Sequence, residues 1–352
     1  HIEWDIEQVQ KGGHPHFMLK EIMEIPDVLT NSARGRIIAH EGMVKLGGLE
    51  SVADRLRDIQ RIIIVGCGSA YYAGLVGEYM LEEHAGIPVS VELGSEFRYR
   101  SSVFEENTAL LVISQSGETA DTLASLREAK RRGILTLGIV NTVGSTIARE
   151  TDAGIYNHAG PEIGVASTKA FISQLEVLAL LTVFLGRQRR MSAGEGTAIL
   201  EGLVALPKTI SKMLADTSAI KAVAEKYQSS RDFLFIGRKY LAPIGLEGAL
   251  KLKEVSYIHA EGYSAGEMKH GPLAMIDPSF PTLAIALDDG MKEKMASNIQ
   301  EIRARSGPVI AVVTKGDSTV TDITDDTIIV PPTIEILSPI IAAIPLQLFA
   351  YY

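Results

Sequence analysis

Three groups of residues carry the chemistry open to this sequence. The first is Ser114-Gln115-Ser116-Gly117-Glu118-Thr119, which follows the apolar residues 110–113 and precedes a helix-forming segment over 120–132. Hydroxyls and a glycine at a helix start offer an anion both O–H groups and free backbone N–H groups, and the simplest such anion is a phosphate. A helix N-cap with polar turn residues uses the same residue types. Three hydroxyls plus Gln115 exceed what one cap needs, and Gly117 lets the backbone come close. The second group is Glu247, Lys251 and Glu254, spaced i, i+4, i+7 and so on one helix face. A solvated, salt-bridged face is the plain alternative, but the flanks Gly245-Leu246 and Gly248-Ala249-Leu250 suit a buried helix better. There a carboxylate beside a lysine is a candidate general base for a carbon-bound proton. The third group is Gly266-Glu267-Met268-Lys269-His270-Gly271-Pro272, where His270 is either a turn residue or a proton shuttle near neutral pH.

Other candidates are weaker. His14 and His16 flank a proline in a loop and read as surface residues. His259, Glu261, Glu267 and His270 match no zinc spacing, so no metal is expected. Gly66-Cys67-Gly68 has Tyr71 where a dinucleotide fingerprint needs its third glycine, so no cofactor is expected. Cys67, the one cysteine, has no histidine near it in sequence and reads as a buried small residue.

The elements that must position these residues follow from the apolar pattern. The chain has 352 residues, 46% apolar and 22% charged, enough for two domains with large cores. Its net charge of −9 argues against nucleic acid as a general partner. A lone cysteine excludes a disulfide framework and suits a reducing cytoplasm. The apolar run 177–185, bounded by Glu176 and Gly186, is too short to span a membrane, and His1-Ile2-Glu3-Trp4-Asp5 is no signal peptide. The chain lacks an initiator Met and stops at Tyr352 within an apolar helical pattern, so it is expected to be a piece of a longer protein.

Residues 1–35 show no strong core pattern: a loop is expected at 11–16, then a short helix over 17–23 broken by Pro26. Strands are expected at 61–65, 89–93, 110–113, 135–140 and 153–156, alternating with helices, which predicts a parallel sheet covered on both faces. Ligands in such sheets sit at the carboxyl ends of strands, where the loops 66–69 and 114–119 lie. After long helices over 166–186 and 195–215 the pattern returns: 233–237 matches 62–66, 262–267 matches 91–96, 282–286 matches 110–113 and 309–313 matches 135–140. One α/β unit is therefore used twice. The second copy has Leu287-Asp288-Asp289-Gly290 in place of the hydroxyl loop, and its two carboxylates would repel a phosphate. The expected division is an arm over 1–48, a first domain over 49–190, a helical connector over 191–222 and a second domain over 223–352.

Four stretches, in this order, resemble the isomerase half of the glutamine:fructose-6-phosphate amidotransferases: 114–122 (SQSGETADT), 162–170 (EIGVASTKA), 247–254 (EGALKLKE) and 269–274 (KHGPLA). The likeness covers nearly the whole chain, including the arm around His16-Phe17-Met18-Leu19-Lys20-Glu21-Ile22. It implies two tandem sugar-isomerase (SIS) domains, each flavodoxin-like with a parallel five-stranded sheet in a three-layer αβα arrangement. It also implies fructose 6-phosphate and glucosamine 6-phosphate as ligands. By resemblance Ser114, Gln115, Ser116 and Thr119 bind the sugar phosphate, with Gly68 and Ser69 beside them and Val165 and Ser167 near the sugar. Glu254 would move the proton between C1 and C2, supported by Lys251 and with Glu247 close by. His270 would assist ring opening in the neighbouring subunit of a homodimer. Ala70 departs from the family's serine, and the family's glutaminase domain and its imine-forming tail lysine are expected outside this chain. Two rival readings remain: a non-catalytic sugar-phosphate sensor, and an isomerase or deglycase that needs no glutaminase.

Overall fold

The computed structural model describes residues 10–352, so the reading of residues 1–5 lies outside it. The chain divides into two compact units. One is built mainly from Glu24–Ile163 and Lys169–Pro207, the other from Pro15–Met23, Gly164–Thr168 and Lys208–Tyr352.

The first unit holds strands β1 (Arg61–Gly66), β2 (Val89–Leu93), β3 (Thr108–Ser114), β4 (Leu135–Val140) and β5 (Ala153–Tyr156). All pair in parallel, in the order β2-β1-β3-β4-β5, with Ile63 opposite Leu110 and Leu110 opposite Thr136. The central strands are unbroken apolar runs because a parallel sheet is covered on both faces, and every residue of β3 and β4 is buried. The edge strands β2 and β5 are partly exposed, and β2 carries Ser90 and Glu92. Ile63, Val65, Leu110, Val112 and Leu126 form the core on one face.

The second unit repeats this plan about 170–174 residues on, with β6 (Asp232–Gly237), β7 (His259–Ser264), β8 (Thr282–Ala286), β9 (Val309–Thr314) and β10 (Asp326–Val330). Their parallel order is β10-β9-β8-β6-β7, the same topology as the first sheet. Leu234, Ile236, Ala284, Ile299 and Val309 belong to its core. Two tandem flavodoxin-like α/β domains, the fold class expected from the sequence, are thus present.

Two expectations change. The arm is not a loose connector: Ile22, Ile25 and Leu29 are fully buried. Pro26 sits in the first turn of a second helix, Ile25–Ala33, and so starts an element instead of only ending one. Two short helices meeting at Glu24 interrupt the 3.6-residue period, which hides the core pattern from a sequence reading. The run 177–185 also belongs to a longer helix, Lys169–Gly186, which by length and composition alone could cross a membrane. That helix is 94% buried inside the protein and packs in its own unit on helices Ser69–Met80 and Ile25–Ala33.

This core helix carries one buried carboxyl, Glu176. Burial pushes its pKa up to about 8, against the opposing pull of the Ser32 hydroxyl and the Arg36 guanidinium. A carboxyl whose folded pKa lies above its unfolded value holds its proton better when folded, so stability falls as pH rises between about 4.5 and about 8. Glu176→Gln should remove this slope and raise stability at pH 8 by up to roughly 3–5 kcal/mol. Guanidinium unfolding at a series of pH values checks it, and an unchanged slope would count against a neutral Glu176.

Candidate active site

In the first unit the strand order reverses between β1 and β3, which places the loops after Gly66 and Ser114 side by side at the carboxyl end of the sheet. Ser114 is buried at the strand end; its Oγ accepts the Gly117 N–H at 3.0 Å and lies 3.1 Å from Thr119 Oγ1. Ser116 Oγ accepts the Glu118 N–H at 3.2 Å. The Gln115 carbonyl accepts the N–H groups of Asn141 and Thr142, tying the loop to the end of β4. Gly117 has φ +66°, and a Cβ there would lie 2.0 Å from Ser145 Oγ, so a side chain is excluded twice over. The one acid of the loop, Glu118, accepts the Thr146 N–H at 2.8 Å, and that bond holds its carboxyl below the usual range.

Thr119 is the N-cap residue of helix Ala120–Arg131, yet its side chain makes no capping bond. The Thr119 hydroxyl is therefore not consumed in capping, and a 12-residue helix with its free first-turn amides starts beside it. Ser69 opens the neighbouring helix Ser69–Met80, preceded by the exposed Gly68 at φ +56°. Together these groups gather hydroxyls and helix-start amides at the carboxyl end of one sheet, donors of the kind a phosphate takes. Cys67 is half-buried beside them, its Sγ 3.7 Å from Thr122 Oγ1.

The corresponding place in the second unit is acidic. The Asp288 N–H donates to Thr314 Oγ1 at 2.9 Å, and burial raises the Asp289 carboxyl. Lys239 pairs with Glu335 at 2.8 Å, and Lys292 with Asp317 at 2.6 Å. The cations here are already matched to carboxylates, so an added anion gains little.

Helix Ala242–Ser256 of the second unit carries the other group. Lys251 Nζ lies 2.6 Å from Glu254 Oε2 and 3.4 Å from Glu247 Oε1. Lys251 and Glu247 are buried, while the Glu254 side chain stays 30% exposed. The face is thus a buried charge triad with one accessible carboxylate, not a solvated salt-bridge ladder. Glu254 is the member able to meet a ligand, and Lys251 holds it in place. His270 ends the 3₁₀ turn Ala265–His270 and is exposed; among the described residues it makes no hydrogen bond or ion pair, so none joins it to Glu254. Val165 is 97% exposed, and Ser167 is half-buried.

Both sit on the short segment Gly164–Thr168, which belongs to the second unit although the sequence division places it in the first domain. One residue met in sequence only as part of the arm motif, Glu21, is buried in this unit and accepts the Gly164 N–H at 3.0 Å. Only its place beside Lys20, in a short helix of otherwise apolar residues, hinted at a structural task. Among the described residues no cluster of three or more His, Cys, Asp or Glu is placed to hold a metal ion.

Comparison with known proteins adds the family context. The SIS domain family matches residues 55–184 and 226–352. The chain is 49% identical over 351 residues to a protein of Chlorobaculum tepidum named glutamine–fructose-6-phosphate aminotransferase [isomerizing], covering 100% of this chain and 57% of that protein. It is equally 49% identical to the protein of that name from Thermus thermophilus, covering 58% of it. The chain therefore spans a little over half the length of these relatives. Among solved structures, the C-terminal domain of glucosamine-fructose-6-phosphate aminotransferase from Francisella tularensis matches with a TM-score of 0.91 and 37% identity, over 97% of this chain and 96% of that one.

A buried lysine between two carboxylates gives a direct expectation. Lys251→Met should take the ammonium away from the buried Glu247 carboxylate, and so destabilise the protein by about 3–5 kcal/mol. Adding Glu247→Gln should recover much of that loss. Guanidinium unfolding of the single and double variants checks both, and a single variant as stable as the parent would refute the buried pair.

Proposed function

The chain belongs to the SIS-domain family, with the isomerase domains of the glucosamine-fructose-6-phosphate aminotransferases, and from that premise we propose that it binds a hexose 6-phosphate and carries out the isomerase part of glucosamine 6-phosphate synthesis. The observation that carries this reading is the hydroxyl loop 114–119, whose Thr119 is left uncommitted by capping and whose counterpart in the second unit is acidic. Ser114, Gln115, Ser116 and Thr119 grip the phosphate, with Gly68 and Ser69 at its edge. Val165 and Ser167 lie against the sugar.

Turning a 2-ketose into a 2-amino aldose requires opening the ring, placing nitrogen on C2 and moving a proton between C1 and C2. A grip on the distant phosphate fixes the reacting carbons without touching them. Glu254 takes the proton from one carbon and returns it to the other, with Lys251 fixing its carboxylate and Glu247 sharing the lysine's charge. His270 protonates the ring oxygen as the ring opens. Its exposed position suits a histidine that serves the site of a second copy, in a homodimer. In the full-length protein a glutaminase domain supplies the nitrogen, and the setting is the cytoplasm.

Titration calorimetry with fructose 6-phosphate and glucosamine 6-phosphate tests the site. Saturable binding by the chain is expected, weakened about tenfold by Ser116→Ala through loss of one hydrogen bond to a charged ligand. Binding that ignores Ser116→Ala would sink the phosphate assignment. In the full-length protein Glu254→Gln should lower kcat by roughly 10²–10⁴ with KM little changed. Full activity in that variant would leave a sugar-phosphate sensor as the better reading.

A further inference from the structure

The segment Gly164–Thr168 is pinned at both ends by buried side chains of its own unit. At the first end both carboxylate oxygens of Glu21 face the Gly164 N–H, at 3.0 and 3.3 Å. A Cβ on residue 164 would lie 2.6 Å from Glu21 Oε2, so this approach requires glycine there. At the other end Gln347 Nε2 donates to the Thr168 carbonyl at 3.3 Å, and both of those residues are fully buried. The two pins stand on helices Phe17–Met23 and Ser338–Tyr351, which pack on each other and are joined further by a 3.0 Å bond between His16 Nδ1 and the Tyr351 hydroxyl. Between the pins Ala166 turns inward and is buried, while Val165 stands almost wholly in solvent. Fixing a short loop with one buried hydrogen bond and one partly buried, charge-assisted one costs conformational entropy that an idle surface loop would keep. Such a support is what a binding loop needs to present side chains in one geometry.

We propose that Glu21 is a positioning residue of the sugar site: with Gln347 it fixes the loop 164–168 so that Val165 and Ser167 meet the sugar ring of a hexose 6-phosphate. This rests on the reading above that those two residues lie against the sugar. Glu21 itself touches no substrate. Its effect falls on recognition of the sugar and leaves the phosphate grip at 114–119 alone, and this separates positioning from general destabilisation.

The test titrates the chain and its variants with glucosamine 6-phosphate and, separately, with inorganic phosphate, and follows amide hydrogen exchange over 164–168. Glu21→Ala should speed that exchange and weaken glucosamine 6-phosphate about tenfold, while inorganic phosphate stays within about twofold. Glu21→Gln keeps an acceptor oxygen and should restore most of the affinity. Gly164→Ala, which displaces the carboxylate without removing it, should reproduce the Glu21→Ala pattern and carries the test if Glu21→Ala does not fold. Equal weakening of both ligands, or unchanged sugar-phosphate affinity despite faster exchange, overturns the proposal. Ser116→Ala is the control and should weaken both ligands. If it does so while Glu21→Ala changes neither, the phosphate site stands and the positioning role falls. If Ser116→Ala changes neither ligand, the underlying reading falls too.

Discussion

A parallel strand cannot turn directly into its neighbour, because the chain must cross back over one face of the sheet before the next strand begins. Where the strand order reverses, successive crossovers leave on opposite faces and the loops at the carboxyl ends part. That constraint acts twice in this chain, once between β1 and β3 and once between β6 and β8. The scaffold is the same in both places, and only the loop chemistry differs. Hydroxyls and a left-handed glycine face the first crevice, whereas carboxylates already paired with lysines line the second. Duplication therefore supplied two equivalent crevices of which one is suited to an anion. The fold made both possible and the side chains chose between them.

A second constraint is the fully buried ammonium of Lys251. Such a charge is tolerable only with counter-charges at contact distance, so Glu247 and Glu254 are structurally required before any chemistry is considered. The small residues Gly245, Gly248 and Ala249 let this helix sink into its unit, and burial converts an ordinary i, i+4, i+7 pattern into a fixed triad. Because the Glu254 side chain alone keeps solvent exposure, the lysine that stabilises the helix also aims its one accessible carboxylate. The arm follows the same economy: Ile22 serves the core while Glu21, one residue earlier, holds a loop.

Much of the fold was legible beforehand. Central parallel strands are buried on both faces, so Ile62-Ile63-Ile64-Val65 and Phe233-Leu234-Phe235-Ile236 read as strands without any alternation to interpret. The repeat was legible because both copies keep the same order of elements at nearly constant spacing. The site groups were legible as local chemistry, three hydroxyls before a helix and two acids flanking a lysine on one face. The arm was not, because its core residues fall on two short helices whose phases break at Glu24. Nor was the attachment of Gly164–Thr168, which lies between elements of the first unit in sequence yet packs with the second.

The sequence by itself determined the strand and helix pattern, the duplication, the hydroxyl loop with its acidic twin, and the identity of the residues able to do acid–base work. All of these are written within windows of a few residues or in the spacing between windows, where side-chain period and residue type decide. Only the tertiary structure decided that Glu247 and Lys251 are the buried members of the Glu247/Lys251/Glu254 face and Glu254 its open one, that the hydroxyl of Thr119 is not spent on its helix, and that Glu21 meets Gly164. These depend on contacts between segments far apart in the chain. Small apolar flanks favour burial of a charged helix face, but which of its charges ends in solvent and which in a core is settled by what packs over it.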